Sequence, residues 1–317
     1  MYGKGTPNAG RGSDAGLADF SSGNGIKSEV TEMEKRIRLA AIDMDGTLLS
    51  PDGTVSPANQ AAIRALKNQG AEVVVCTGRS FRDASRPLRA AKIVCGLICM
   101  NGAAVYRKDG SLSHRQTISA ERINRILCLA KEFDLVTDLM GEDKSYTTVS
   151  EERFRKGYEE GILLPMVESN YRSIRERFTL TIPEAILQKK PDIFKISVMH
   201  KETAVLDRVK KILEKEGGLA LASSDRTNVE ITSGLAQKGI ALMEYAKEKH
   251  YHLQEIMAIG DSGNDVSMLS LPLGATVAMG NAMPEAKRAA MYETRTNRED
   301  GVAWAIENWA IRKWETA

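Results

Sequence analysis

Two aspartates one residue apart, at the end of a short apolar run, constrain this chain more than any other feature. The run Leu39-Ala40-Ala41-Ile42 leads into Asp43-Met44-Asp45-Gly46-Thr47-Leu48-Leu49. An apolar run this short, stopped by a glycine, reads as a buried strand of a parallel sheet. Ligands of open α/β sheets bind beyond the carboxyl ends of the strands, which is where Asp43 and Asp45 stand. Continued extension sends both carboxylates to one side and Met44 to the other. Carboxylates this close repel unless a cation lies between them or one keeps its proton. A hard, oxygen-seeking ion such as Mg²⁺ meets the first condition. Read alone, the stretch also fits a strand end whose aspartates merely cap a turn.

Three further segments repeat the arrangement. Glu72-Val73-Val74-Val75-Cys76 runs into Thr77-Gly78-Arg79, and Gly96-Leu97-Ile98-Cys99-Met100 into Asn101-Gly102. Glu255-Ile256-Met257-Ala258-Ile259 runs into Gly260-Asp261-Ser262-Gly263-Asn264-Asp265. Each delivers a small polar group or carboxylate followed closely by glycine. Four such ends converging by accident is a poor explanation, and turn capping alone does not account for them.

The D-x-D-G-T-L of residues 43–48, Thr77-Gly78-Arg79, Lys238-Gly239 and the G-D-x-x-N-D of residues 260–265 resemble the haloacid dehalogenase superfamily. Asn101-Gly102-Ala103, Ala278-Met279-Gly280-Asn281-Ala282 and Glu299-Asp300-Gly301-Val302-Ala303 narrow the resemblance to Cof-like phosphatases with a type IIB cap. It covers the chain from about Arg38 to the C-terminus. The fold implied is α/β: a three-layer Rossmannoid core with a mostly parallel sheet, plus an inserted α+β cap domain. The core would occupy residues 35–104 and 234–317, and the cap 105–233. The activity implied is Mg²⁺-dependent hydrolysis of a phosphomonoester through an aspartyl-phosphate. The partner is a small phosphorylated metabolite, a sugar phosphate or a phosphorylated cofactor.

The resemblance also assigns roles. Asp43 would be the nucleophile and a metal ligand, and Asp45 the general acid and base, its backbone carbonyl also on the metal. Asp261 would be the other metal ligand, with Asp265 supporting from behind. The Thr77 hydroxyl, the backbone N–H groups of Gly78 and Met44 and the Lys238 ammonium would meet the phosphate, and Asn264 would either meet it too or orient the carboxylates. Arg79 would reach either the substrate or the second helix. Family members often carry Gly-Val shortly before the Lys-Gly pair. Here Gly234 is followed by Leu235-Ala236-Gln237, so the loop departs from the pattern.

Two other functions compete. A phosphomannomutase-like sugar phosphomutase needs arginines in the cap to grip a second phosphate, and Arg153, Arg155, Arg172, Arg175 and Arg177 are available. A solvated charged face explains these more simply. A catalytically silent phosphate-binding regulator has no chemical need for Asp43, Asp45, Lys238 and Asp261 together.

The rest of the chain sets bounds. A net charge of +2 gives no electrostatic case for nucleic acid or an acidic membrane, and the longest apolar runs fall far short of a membrane span. Cys76, Cys95, Cys99 and Cys128 lie in apolar segments without CxxC or Cys/His metal spacing, as expected of reduced core residues in a cytoplasmic protein. Residues 1–34 are rich in Gly, Ser, Asn and Asp, without apolar periodicity, and read as a disordered leader. A hairpin is expected about Asp109-Gly110, and a charged helix from Glu151 to Arg177. Strands and helices mix between Val105 and Ile231, which suits an inserted α+β layer. His114, His200, His250 and His252 have no suggestive partner and read as structural or surface residues.

Overall fold

The first apolar run forms strand β1 (Leu39–Asp43), buried along its whole length. The computed structural model describes residues 36–142, 144–162, 175, 178–180 and 192–311; the segment read as a leader, residues 1–34, lies outside them. From β1 the chain alternates through α1 (Pro57–Asn68), β2 (Glu72–Cys76), α2 (Phe81–Ala90) and β3 (Gly96–Cys99), then makes a hairpin of β4 (Ala104–Tyr106) and β5 (Leu112–Arg115). A second sheet follows, from β6 (Val136–Met140), β7 (Ser145–Thr147), β8 (Phe178–Leu180), β9 (Lys195–Met199), β10 (Leu219–Ala222) and β11 (Asn228–Ser233). Its helices are α3 (Ala120–Glu132), α4 (Glu151–Glu159) and α5 (Thr203–Glu216). The chain then returns through α6 (Lys238–Glu248), β12 (Ile256–Gly260), α7 (Val266–Leu269) and β13 (Ala275–Ala278). It closes with α8 (Pro284–Ala289), β14 (Tyr292–Glu293) and α9 (Gly301–Ile306).

The first sheet has the order β14-β13-β12-β1-β2-β3-β4-β5 and is parallel from β14 to β3. From β1 the connections run outward to β2 and β3 on one side, and from β12 to β13 and β14 on the other. The topological switch therefore lies between β1 and β12, where a crevice opens at the carboxyl ends. Register keeps those ends level: Asp43 pairs with Cys76, Ile42 with Ile259, and Cys76 with Ile98. Alternation sorts the apolar side chains into two layers. Ala40, Ile42, Val73, Val75, Met257 and Ile259 pack with Ile63 and Leu66 of α1 and Val302 and Ile306 of α9. Leu39, Ala41, Val74, Ile98 and Ala258 pack with Leu242 and Tyr245 of α6 and Met268 of α7. The result is a three-layer α/β sandwich. Ser56 caps α1, accepting from the Asn59 N–H, with Pro57 preset at the first helical position.

The hairpin near Val105 differs from the reading that began the inserted part there. β4 pairs antiparallel with β3, Leu97 opposite Tyr106 and Ile98 opposite Val105, so the hairpin widens the first sheet. Ala104, Val105 and Tyr106 are apolar on both faces and bury accordingly, as an added strand of that sheet requires. Of the charged stretch read as one helix from Glu151 to Arg177, α4 takes Glu151–Glu159, and most of the remainder lies outside the described residues.

The second sheet has the order β10-β11-β9-β6-β7-β8. One face is apolar, with Leu139, Ile196, Val198, Val229 and Ile231 against Ile123 and Ile126 of α3 and Leu206, Val209 and Leu213 of α5. The alternate positions Lys195, Ser197, Glu230 and Thr232 are polar, yet they too are buried. Among the described residues no helix is long and apolar enough to cross a membrane.

Candidate active site

Four carboxyl-end loops meet at the switch point, and Lys238 ties those after β1 and β12 together. It opens α6, is fully buried, and directs its Nζ to Asp43 Oδ1 at 2.6 Å, Asp265 Oδ1 at 2.7 Å and Asn264 Oδ1 at 3.1 Å. Burial alone would drive the proton off this amine, but Asp265 and Asp43 outweigh it and raise its pKa. Lys238 is therefore a fixed positive charge.

The carboxylates respond in the opposite sense. Asp43 is held well above the ordinary range, first by burial and then by the Asp265 charge, with Lys238 only partly offsetting them. Asp261 is pushed up to about 7 by burial and by Asp265, against the hydrogen bond from Thr47 and the Lys238 charge. Carboxylate oxygens of Asp43, Asp261 and Asp265 come within 4.8 Å of one another. A cluster of hard oxygen donors holding more negative charge than one ammonium neutralises suits a small divalent cation. Asp265 has less to offer such an ion. Its Oδ2 accepts the Asp261 and Ser262 N–H groups at 2.9 and 3.0 Å, and its Oδ1 accepts Lys238.

The loop after β1 explains where Asp45 goes. The chain does not stay extended beyond Asp43; it coils tightly from Met44 to Leu48 about Gly46, whose φ is +76°. A Cβ on Gly46 would stand 2.3 Å from Asp261 Oδ2, so glycine is needed for both reasons. The coil buries Met44 and leaves Asp45 exposed, not beside Asp43 as simple alternation predicts. Arg79 takes both Asp45 oxygens, through Nε at 2.7 Å and Nη2 at 2.5 Å, a partner that the sequence did not suggest. Asn281 Nδ2 donates to Gly46 O at 2.8 Å, and Asn297 Nδ2 to Leu49 O at 2.9 Å, which pins the loop from the β13 side.

The family profile of haloacid dehalogenase-like hydrolases matches residues 40–306. This chain belongs to that family. It is similar to the phosphatase YwpJ of Bacillus subtilis, with 34% identity over 284 residues, 86% of this chain and 99% of the relative. It is also similar to the 5-amino-6-(5-phospho-D-ribitylamino)uracil phosphatase YcsE of the same organism, 29% identical over 87% of this chain and 96% of that one. The solved structures it resembles include a haloacid dehalogenase-like hydrolase from B. subtilis, with 31% identity and a TM-score of 0.75, covering 86% of this chain and 99% of that one. The Cof-like resemblance of the motifs and the α/β class both hold.

In this haloacid dehalogenase-like hydrolase the sequence-named residues Asp43, Asp261, Asn264, Asp265 and Lys238 gather in one cluster. Thr77 and Gly78 flank it on the end of β2; the Thr77 Oγ1 accepts the Arg79 N–H at 3.1 Å. Of the arginines considered for a second phosphate, Arg153 is engaged by Asp134 and Glu160, and Arg175 by Glu151, while Arg172 and Arg177 lie outside the described residues. Asn101, Lys195 and Glu230 were not named from sequence as site residues, yet they crowd Gly78. A Cβ there would lie 3.0 Å from Asn101 Oδ1, 3.2 Å from Lys195 Nζ and 3.5 Å from Glu230 Oε2. The alternation in Phe194-Lys195-Ile196-Ser197-Val198 marks Lys195 as belonging to a polar face, but nothing local says that the face is covered.

Proposed function

We propose that this phosphatase of the haloacid dehalogenase-like family is a Mg²⁺-dependent phosphomonoester hydrolase acting on a small phosphorylated metabolite, a sugar phosphate or a phosphorylated cofactor, in the cytoplasm. The observation that carries the reading is the buried Asp43 carboxylate, ligated by Lys238 at 2.6 Å, on the switch-point edge of the sheet. Asp43 attacks phosphorus as the ester P–O bond breaks, leaving an aspartyl-phosphate. Asp45 gives a proton to the departing oxygen and recovers one from the water that cleaves the acyl phosphate, restoring Asp43 and releasing inorganic phosphate. Asp45 is free for this once an anionic substrate competes for Arg79. The Met44 and Gly78 N–H groups, the Thr77 hydroxyl, Asn264 and Lys238 hold the phosphoryl oxygens.

Asp43, the backbone carbonyl of Asp45 and Asp261 would hold Mg²⁺, with Asp265 supporting through its bonds to the Asp261 and Ser262 N–H groups. When bound, the ion offsets negative charge between phosphate and carboxylates. Residues 35–104 and 234–317 form the core in this reading, joined by the β4–β5 hairpin, and the second sheet forms the cap that selects the leaving group. Three thiols are buried and all four are free, which fits a reducing compartment.

The test is release of inorganic phosphate from a panel of sugar phosphates, nucleotides, pyridoxal phosphate and flavin mononucleotide with Mg²⁺ present. Phosphate released from none of them would refute the reading. Interconversion of hexose phosphates without release would point to the mutase.

A further inference from the structure

Two charged residues of the second sheet, Lys195 of β9 and Glu230 of β11, are almost fully buried against the first. Lys195 Nζ donates to Glu230 Oε1 at 2.9 Å, and the Ser224 hydroxyl to the same oxygen at 3.1 Å. The other oxygen, Oε2, accepts Asn101 Nδ2 at 2.6 Å from the end of β3. Burying an ion pair costs about as much solvation as the pair returns, so such a pair is weak evidence for stability. Its position calls for another explanation.

The contact continues inward. Asn264 Nδ2 donates to Asn101 Oδ1 at 3.2 Å, Lys238 Nζ to Asn264 Oδ1 at 3.1 Å, and Lys238 Nζ to Asp43 Oδ1 at 2.6 Å. An unbroken chain of side-chain hydrogen bonds thus leads from Glu230 to Asp43. Its second member, Asn101, sits on strained backbone: Met100 and Asn101 have φ of +50° and +57°. Non-glycine residues hold that conformation only where their surroundings fix them. Here the Met100 N–H donates to Arg79 O and the Asn101 N–H to Thr77 O, both at 3.0 Å. Gly102 follows, so close to Gln237, the residue before Lys238, that a Cβ would lie 2.4 Å from its carbonyl oxygen. This turn therefore touches the Thr77-Gly78-Arg79 loop, the start of α6 and the second sheet at once. Burial opposes ionisation of Glu230, yet Lys195 and Asn101 hold its pKa at about 2, so it is a permanent acceptor.

We propose that Glu230, neutralised by Lys195, is a positioning residue: it holds Asn101 so that Asn264 and Lys238 stay aligned on Asp43 only while the second sheet covers the site. The inference rests on the phosphatase reading for its kinetic part. It makes closure of the second sheet a requirement for an aligned site, independent of which leaving group is bound. A small ester that the second sheet need not recognise should therefore still depend on Glu230.

The test is a double-mutant cycle on the full chain, with p-nitrophenyl phosphate and Mg²⁺, using Glu230→Leu, Asn101→Ala and the pair, with Glu230→Gln as the conservative variant. Glu230→Leu should lower kcat by about tenfold or more with KM little changed. Glu230→Gln, whose single amide oxygen can accept from Asn101 at the cost of turning its NH2 toward Lys195, should recover part of it. The double variant should be no worse than the poorer single one, as expected for residues in one chain of bonds. Amide hydrogen exchange of residues 98–103 should be faster in Glu230→Leu than in the wild type, in metal-free buffer. Should Glu230→Leu not fold, Asn101→Ala against Glu230→Gln supplies the same comparison. Wild-type kcat in Glu230→Leu, or a lower melting temperature with kcat untouched, would overturn the proposal; so would losses that multiply in the double variant. A wild-type enzyme that releases no phosphate from any ester refutes the phosphatase reading instead, and the exchange comparison still decides for or against the link to Asn101.

Discussion

Lys238 Nζ lies between Asp43 Oδ1 and Asp265 Oδ1, 2.6 and 2.7 Å from them, with all three side chains withdrawn from water. The two carboxylates arrive from neighbouring strands, one at the end of β1 and the other in the loop after β12. A single ammonium thus joins the two halves of the sheet across the switch point. The arrangement leaves the acidic cluster short of positive charge, and that shortage shapes most of what can be predicted.

Lys238→Met should strip the cluster of its counter-charge. Removing one partner of a buried ion pair costs about 3–5 kcal/mol, because the others stay buried and unpaired. Denaturant unfolding should show a loss of that order. Phosphate release should fall at least about a hundredfold, as when a fixed charge facing a transition state is removed. Activity near the wild-type level would exclude Lys238 from the reaction.

Asp43→Asn should separate stability from catalysis. The raised pKa means that folding opposes ionisation of Asp43, so above the ordinary carboxylate range the charge costs stability. At neutral pH without metal the amide variant should therefore melt no lower than the wild type. Its turnover should nevertheless collapse by several orders of magnitude. Retained turnover would rule out the aspartyl-phosphate route.

Much of the site was legible because its residues sit next to strand ends that the sequence marks by apolar runs and glycines. Asp43, Thr77, Gly78, Asp261 and Asn264 all fall in such places, and Lys238 opens a helix. Asp45 shows the limit of this reasoning. Period-two alternation holds only while the chain is extended, and the coil about Gly46 ends that one residue too soon. Lys195 and Glu230 show another. A polar face on a strand normally means solvent, and only the packing of one sheet over the ends of another shows that this face is enclosed. The hairpin of β4 and β5 could have joined either sheet from its local pattern, and its pairing with β3 is a long-range choice.

Asp138 provides a pH signature in the second sheet. Its buried Oδ1 has no hydrogen-bond partner among the described residues, and burial pushes its pKa up to about 6 despite Lys195 nearby and a hydrogen bond from Ser145. A folded pKa above the unfolded value of 3.8 means that folding takes up a proton between the two. Its contribution should therefore lower stability as pH rises from about 4 to about 6, and level off above that. Asp138→Asn should abolish this decline. It should be more stable than the wild type above pH 6, by at most about 3 kcal/mol, and indistinguishable from it below about pH 4. Parallel stability curves for the two proteins across this range would contradict the assignment.

Asp261 and Asp265 should divide metal binding from folding. Asp261 accepts a side-chain hydrogen bond from Thr47 at 3.0 Å, and its carboxylate is costly to ionise where it lies. Asp265 accepts two backbone N–H groups and the Lys238 ammonium. Asp261→Asn should leave the melting temperature in metal-free buffer unchanged or higher, and raise the Mg²⁺ concentration needed for half activity by tenfold or more, on the order of 1.4 kcal/mol. Asp265→Asn should lower stability by about 1–3 kcal/mol through lost charge-assisted bonds, with a smaller effect on the Mg²⁺ requirement. In the wild type, chelation should abolish turnover and added Mg²⁺ restore it. Ca²⁺, with longer and looser coordination, should compete for the site without supporting in-line attack. Equal Mg²⁺ requirements in the two variants, or full turnover after chelation, would overturn the ligand assignment, because the bonds that occupy Asp265 leave Asp261 as the carboxylate available to an ion.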